Sequence, residues 1–244
     1  LDDGGGKGAV LTRILTVAET GSTNADLLDL AASGAEDGIW LRAERQLSGR
    51  GRQGRAWDSP VGNLYASHLV RLRAGDPPAA SLALVAAVAL EEVIARLVSR
   101  GTMLKWPNDL LIGGTKISGI LLERVGDAVV IGIGVNVAHC PDLPDRAATS
   151  LAEQGAAITP AELLERLAAM VDAWLSIWRG QGLAPIVARW IERAHPAGTP
   201  LRARLADGTS LDGTFETLAP DGALVLRLAD GTTRAIHAGD VFLV

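Results

Sequence analysis

Two rhythms of hydrophobic and polar positions run along this chain. Period-two alternation, or a short apolar run closed by turn residues, marks strands; apolar residues three and four apart mark helices. Val10 to Glu19 reads as a strand. Gly21-Ser22-Thr23-Asn24 then opens a helix from Asn24 to Ser33, with Ser22 or Thr23 as N-cap and Gly34 as its stop. Gly38 to Gln46 and Asn63 to Arg73 read as the next strands. Asp76-Pro77-Pro78 starts a long helix to Arg100, ended by Gly101. Met103 to Ala138 is nearly all strand, interrupted by Lys105-Trp106-Pro107-Asn108-Asp109, where proline cannot donate to a ladder and Asn-Asp favours a turn. Gly113-Gly114 and Gly126-Asp127 fold this stretch into hairpins. Cys140 to Ala148 reads as a loop. Thr159-Pro160-Ala161-Glu162 is a capping box with proline at N1, starting a helix to Trp178 stopped by Gly180. Pro185 to Ala194 is a short helix.

His195 to Pro200 has the chemistry of a linker, and beyond it the period is two. Leu201–Leu205, Ser210–Leu218, Ala223–Leu228, Thr232–His237 and Val241–Val244 alternate, and Asp207-Gly208, Asp221-Gly222 and Asp230-Gly231 supply turns. This pattern predicts a small β-barrel of about five strands. The chain is thus read as a flexible tail over 1–8, a large domain over 9–195 and a small one over 199–244.

Composition narrows the possibilities. The 244 residues are 48 % hydrophobic, enough to bury a sizeable core. A net charge of −5 argues against a general nucleic-acid or membrane-surface binder. The single cysteine, Cys140, excludes an internal disulfide and suits a reducing compartment such as the cytoplasm. No signal-peptide pattern is visible at Leu1 to Gly8, and the longest apolar run, Ala79 to Leu90, is too short to span a bilayer.

Chemistry concentrates in Ser48 to Asp58, Ser-Gly-Arg-Gly-Arg-Gln-Gly-Arg-Ala-Trp-Asp. Glycine lets backbone approach a ligand, and arginine forks suit phosphate and carboxylate. The stretch has almost no apolar side chain to anchor it, so it reads as a mobile basic loop closing on an anion, with a merely solvated charged loop as the alternative. Gly49-x-Gly51-x-x-Gly54 matches the dinucleotide fingerprint, but turn residues follow it where that motif needs a helix. Lys116 stands near the start of an apolar strand, where burial requires solvent access or an anion. Asp109 and Glu123 are carboxylates able to ligate Mg²⁺, though lone carboxylates are more often surface residues. The two glycines of Gly132-Ile133-Gly134-Val135-Asn136 mark either a bulge or tight packing, or a backbone that passes close to a ligand with Asn136 donating an amide. His68, His139, His195 and His237 show no ligand spacing. Cations without a nucleophile–base pair suit chemistry in which the substrates supply the nucleophile, such as adenylation of a carboxylate by ATP.

These residues resemble the biotin protein ligase family. The matching motifs are Glu19-Thr20-Gly21-Ser22-Thr23-Asn24; Gln46 with Gly49-Arg50-Gly51-Arg52-Gln53-Gly54-Arg55 and Trp57; Lys105-Trp106-Pro107-Asn108-Asp109; Lys116-Ile117-Ser118-Gly119-Ile120-Leu121; and Gly132-Ile133-Gly134-Val135-Asn136-Val137. The resemblance implies an α/β (α+β) fold: a mixed-sheet catalytic domain with helices, and a small C-terminal SH3-like barrel. It implies ATP, Mg²⁺ and biotin as reactants, biotinyl-5′-AMP as intermediate, and a biotin carboxyl carrier domain as acceptor. By motif position, Ser22, Thr23, Asn24 and Gln46 line the biotin pocket, with Arg50, Gly51 and Arg52 as the loop over biotin and phosphate. Lys116 meets carboxylate and α-phosphate, while Arg52, Arg55, Trp57, Asn108 and Asn136 serve ATP. Lys116, Arg52 and Asp109 are the expected catalytic residues, with Asp109 also the expected Mg²⁺ ligand. Some family members carry an N-terminal helix-turn-helix; the stretch up to Gly21 is too short for one, so no DNA binding and no membrane binding are expected. A monomer or weak homodimer is the expected state. A lipoate or octanoate ligase or transferase is the runner-up, and a non-catalytic biotin-binding regulator the remote alternative.

Overall fold

The computed structural model describes residues 13–141, 147–205 and 207–243. The tail over 1–8, the first residues of the Val10 strand, the middle of the Cys140–Ala148 loop and Val244 lie outside the described residues.

A seven-stranded sheet forms the larger part, in the order β1-β2-β3-β7-β6-β5-β4. Its strands are β1 (Arg13–Thr20), β2 (Ile39–Gln46), β3 (Leu64–Arg71), β4 (Thr102–Lys105), β5 (Asp109–Ile112), β6 (Thr115–Val125) and β7 (Ala128–Val135). Only β1 and β2 pair in parallel, with α1 (Thr23–Ala32) as their crossover; the others pair antiparallel. Ser22 caps α1 and accepts from the Ala25 N–H.

Alternation along β7 sorts the two faces of the sheet. Val129, Ile131, Ile133 and Val135 enter the main core beneath α2 (Leu82–Ala95) and α3 (Pro160–Gln181). On the other face, Ala128 and Val130 lie in a second core with Leu27 and Ala31 of α1. The same face then continues as Gly132 and Gly134, so the floor beyond α1 has no side chains. That bare floor is where the cavity sits.

Two helix ends differ from the sequence reading. The helix read as running to Arg100 ends at Ala95, because a tightened turn, Leu97 N–H to Ile94 O at 2.9 Å, leads the chain out toward β4. The helix read as stopping at Gly180 runs on to Gln181, and Gly182, at φ +78°, supplies the stop in a conformation favouring glycine.

A short helix, α4 (Ala184–Ile191), leads to the second sheet: β8 (Pro200–Arg204), β9 (Ser210–Leu218), β10 (Leu224–Arg227), β11 (Thr233–Ile236) and β12 (Asp240–Leu243), ordered β11-β10-β9-β8-β12. The approach to it is not free chain. Leu104 N–H bonds Arg193 O at 2.7 Å and pairs in parallel with Ala194, so the connection lies along the β4 edge. Apolar residues of the second sheet, including Leu201, Phe215 and Val241, belong to the same core as α2 and α4.

Candidate active site

The basic loop closes over the glycine floor to enclose a cavity of about 420 Å³. The site residues implied by the family resemblance all line it: Ser22, Thr23, Asn24, Gln46, Arg50, Gly51, Arg52, Arg55, Trp57, Asn108, Asp109, Lys116 and Asn136; Glu123, the other candidate carboxylate, does not. Five cations (Arg50, Arg52, Arg55, Lys105, Lys116) face three carboxylates (Asp58, Asp109, Asp240), so the lining favours an anion.

Lys116 reaches this cavity through a local irregularity. Leu110 pairs with Ser118 and Leu111 with Lys116, leaving Ile117 as the extra residue of a bulge. The bulge buries Ile117 in the core while Lys116 and Gly119 both face the cavity. Lys116 Nζ donates to Asp109 Oδ1 at 2.5 Å and lies 5.5 Å from the Trp57 ring centroid. Asp109 is therefore not the surface carboxylate its isolation in the sequence suggested: it is buried against a lysine. Glu123 differs likewise, accepting from Asn24 Nδ2 at 2.8 Å.

Trp57 explains two glycines. A methyl group at Gly134 would lie 2.7 Å from the indole and one at Gly119 3.1 Å from it. The indole thus lies flat on the floor beside Lys116. Gly132 is needed for Asn24, whose Oδ1 would meet such a methyl at 2.3 Å.

The loop itself is held by its own backbone and by the second sheet. Gly51 N–H donates to Arg55 O at 2.7 Å and Trp57 N–H to Gly49 O at 2.9 Å. Gln53 adopts φ +56°, rare outside glycine. Arg52 Nη1 meets Asp240 Oδ1 at 3.3 Å, its Nη2 donates to Gly239 O at 3.0 Å, and Arg55 Nη2 meets Asp240 Oδ2 at 2.6 Å. Burial lowers the Arg52 pKa from the usual guanidinium value, while the Asp240 and Asp109 carboxylates oppose that shift. Arg50 lies exposed at the cavity mouth.

Both asparagines at strand ends brace the walls. Asn108 Nδ2 donates to Ile120 O at 2.7 Å, and its Oδ1 accepts from Arg52 Nη1 at 3.4 Å. Asn136 Nδ2 donates to Thr149 O at 3.0 Å. On the opposite wall Gln46 Oε1 accepts from Thr23 N–H at 2.9 Å. Tyr65, its phenol pKa pushed up by burial, stays protonated and donates to Pro60 O at 2.8 Å.

Sequence reasoning missed two contributors. Asp240 follows Ala-Gly in what reads as an ordinary turn, so nothing local marks it. Ser67 is fully buried between Thr23 and Asn24. A small hydroxyl side chain within a largely apolar strand was the available signal for it.

Comparison with known proteins adds independent findings. The model described as the Biotin/lipoate A/B protein ligase family matches residues 17–136, and that described as the Biotin protein ligase C terminal domain matches 198–244. The chain is 39 % identical over 239 residues to a biotin–acetyl-CoA-carboxylase ligase of Paracoccus denitrificans, covering 93 % of this chain and 98 % of that protein. It is 37 % identical to one from Mycobacterium tuberculosis, over 97 % of this chain and 91 % of the relative. A solved biotin protein ligase from Aquifex aeolicus, in complex with biotin and ATP, shares the fold at TM-score 0.85 and 24 % identity, covering 95 % of this chain and 99 % of that one.

Proposed function

The chain belongs to the biotin/lipoate A/B protein ligase family as a biotin protein ligase, and from this premise we propose how its cavity carries the reaction. A biotin carboxylate oxygen attacks the α-phosphorus of ATP, forming biotinyl-5′-AMP and expelling pyrophosphate. The amine of an acceptor lysine then attacks the acyl carbon, AMP leaves, and the amide bond forms. The observation that carries this reading is Lys116, turned by the β6 bulge onto a glycine floor beneath three loop arginines. Negative charge shifts onto phosphate oxygens during the first step, and preorganised cations there lower its barrier.

Within that scheme Thr23, Asn24, Gln46 and Ser22 form the biotin wall, with Arg50, Gly51 and Arg52 above it. Arg52, Arg55, Trp57, Asn108 and Asn136 serve the nucleotide. Lys116 and Arg52 stabilise the developing charge, and Asp109, hydrogen-bonded to the Lys116 ammonium, orients it. Among the described residues no group of three His, Cys, Asp or Glu could cage a metal ion. Mg²⁺ suits a site of one carboxylate, Asp109, plus substrate phosphates, where it neutralises phosphate charge.

The acceptor is the carboxyl-carrier domain of an acetyl-CoA carboxylase, in keeping with the names of the relatives. We place the reaction in the cytoplasm, with the enzyme a monomer or weak homodimer that binds neither membrane nor DNA. No helix among the described residues is long and apolar enough to cross a membrane. Pyrophosphate release with ATP and either biotin or lipoate tests the function: biotin-dependent release is expected. Equal or faster release with lipoate points to the lipoate ligase, and none with either to a non-catalytic module. A gel shift that survives competitor DNA at physiological salt overturns the absence of DNA binding.

A further inference from the structure

The inner wall of the cavity holds a chain of hydrogen bonds whose direction is fixed at both ends. At one end stands Glu123, half-buried on β6, accepting from Asn24 Nδ2 at 2.8 Å; the same nitrogen lies 3.4 Å from Leu121 O. An ionised carboxylate only accepts. Asn24 must therefore turn its nitrogen to Glu123 and its Oδ1 to Ser67, whose Oγ is 2.6 Å away. Turning the amide over would set oxygen against oxygen at Glu123.

Ser67 has one hydroxyl proton, and Asn24 takes it. Its lone pairs then face Thr23 Oγ1, 2.8 Å away. At the other end the backbone N–H of Thr23 fixes Gln46 Oε1, which also lies 3.1 Å from Thr23 Oγ1. Gln46 Nε2 is thereby directed to Ser59 Oγ at 3.1 Å, and Ser59 donates to Trp57 O at 2.9 Å. Both protein neighbours of the Thr23 hydroxyl are acceptors, so its proton is used inside the wall. What Thr23 offers the cavity is a lone pair.

We propose that Glu123 is a positioning residue that sets the hydrogen-bond polarity of this wall, so that Thr23 meets an N–H of the ligand. It thereby selects the cyclic urea of biotin, which carries N–H groups, over a headgroup without them. The proposal rests on the reading of the chain as a biotin ligase.

Glu123→Gln tests it, because an amide of similar size donates as well as accepts and no longer enforces the direction. In pyrophosphate release the KM for biotin should rise on the order of tenfold, as expected for weakening one charged hydrogen bond. The KM for ATP should stay within about twofold of wild type on the same energetic scale. Discrimination between biotin and its N-methylated urea analogue should shrink in Glu123→Gln. Ser67→Ala, which cuts the chain downstream, should relax discrimination in the same way, and adding Glu123→Gln to it should change nothing further. An unchanged biotin KM, an equal rise for both substrates, unchanged discrimination or additive double-variant effects each overturn the proposal while leaving the ligase reading intact. Wild-type protein that releases no pyrophosphate with biotin refutes both.

Discussion

Replacing Asp240 by asparagine removes the charge that two arginines of the basic loop share. Arg52 and Asp240 are 25 % and 13 % exposed, so that pair is largely shielded, whereas Arg55 is 40 % exposed. A charge-assisted hydrogen bond contributes roughly 1.5–3 kcal/mol when shielded, and the solvent-screened Arg55 pair about 1 kcal/mol at most. Asparagine keeps one acceptor oxygen, so the net loss is about 2–3 kcal/mol on the same scale. At 1.4 kcal/mol per factor of ten, the open fraction of the loop rises roughly 30- to 150-fold. Arg50, Arg52 and Arg55 are trypsin sites, and cleavage follows the open population when opening and closing are fast. Limited proteolysis, with fragments identified by mass, should therefore show much faster cutting in Asp240→Asn than in wild type. Biotin with ATP and Mg²⁺ should slow cutting in both, by contacts that do not involve Asp240. A change of less than about fivefold, the limit of what one weak surface pair could produce, would show that the shielded Arg52–Asp240 contact does not hold the loop.

Lys116→Gln should preserve the fold yet slow pyrophosphate release by about 2–4 kcal/mol of barrier, by analogy with the loss of one oxyanion donor; near-normal release sinks the assignment. Gly134→Ala should push Trp57 off the floor, since the new methyl would lie 2.7 Å from the indole. A shift in tryptophan emission that is absent in a Trp57→Phe background checks it. Deleting residues 201–244 removes the packing of Phe215 on Trp190 and the Trp106 Nε1 hydrogen bond to Gly222 O. The remainder should fold with a lower melting temperature, impaired half-reactions and a loop cut as readily as in Asp240→Asn; wild-type rates in both half-reactions count against this. His68 is fully buried against Trp40, and burial pushes its pKa down to about 4. The unfolded chain then binds the extra proton between about pH 6.5 and 4, so stability falls by up to ~3 kcal/mol as pH drops through that window. Urea unfolding across the window should show this slope in wild type and a flatter one in His68→Gln.

The strands, hairpins and helices were legible because each is a local pattern: alternation, a capping box, Gly-Gly or Asp-Gly at a turn. The site residues carried by the motifs were legible, and those motifs converge on one cavity. Pairings between distant segments were not. Asp109 and Lys116 meet only because β5 lies beside β6, and the bulge that turns Lys116 inward depends on pairing register rather than on composition. Asp240 reaches Arg52 across almost the whole chain, so neither stretch can announce the other. The α2 boundary was misplaced because Leu97 and Val98 remain apolar after the backbone has left the helix.

The Arg193–Ala194 segment along the β4 edge makes the junction between the two sheets a fixed mount rather than a swivel. Asp240, on β12 of that mounted sheet, is thereby held at the edge of the cavity. On this arrangement, admission to the cavity is expected to need release of the loop from Asp240 and no movement of the second sheet. Lengthening the stretch between Ala194 and Thr199 would convert that mount into a tether and move the gate from a few residues to a whole domain.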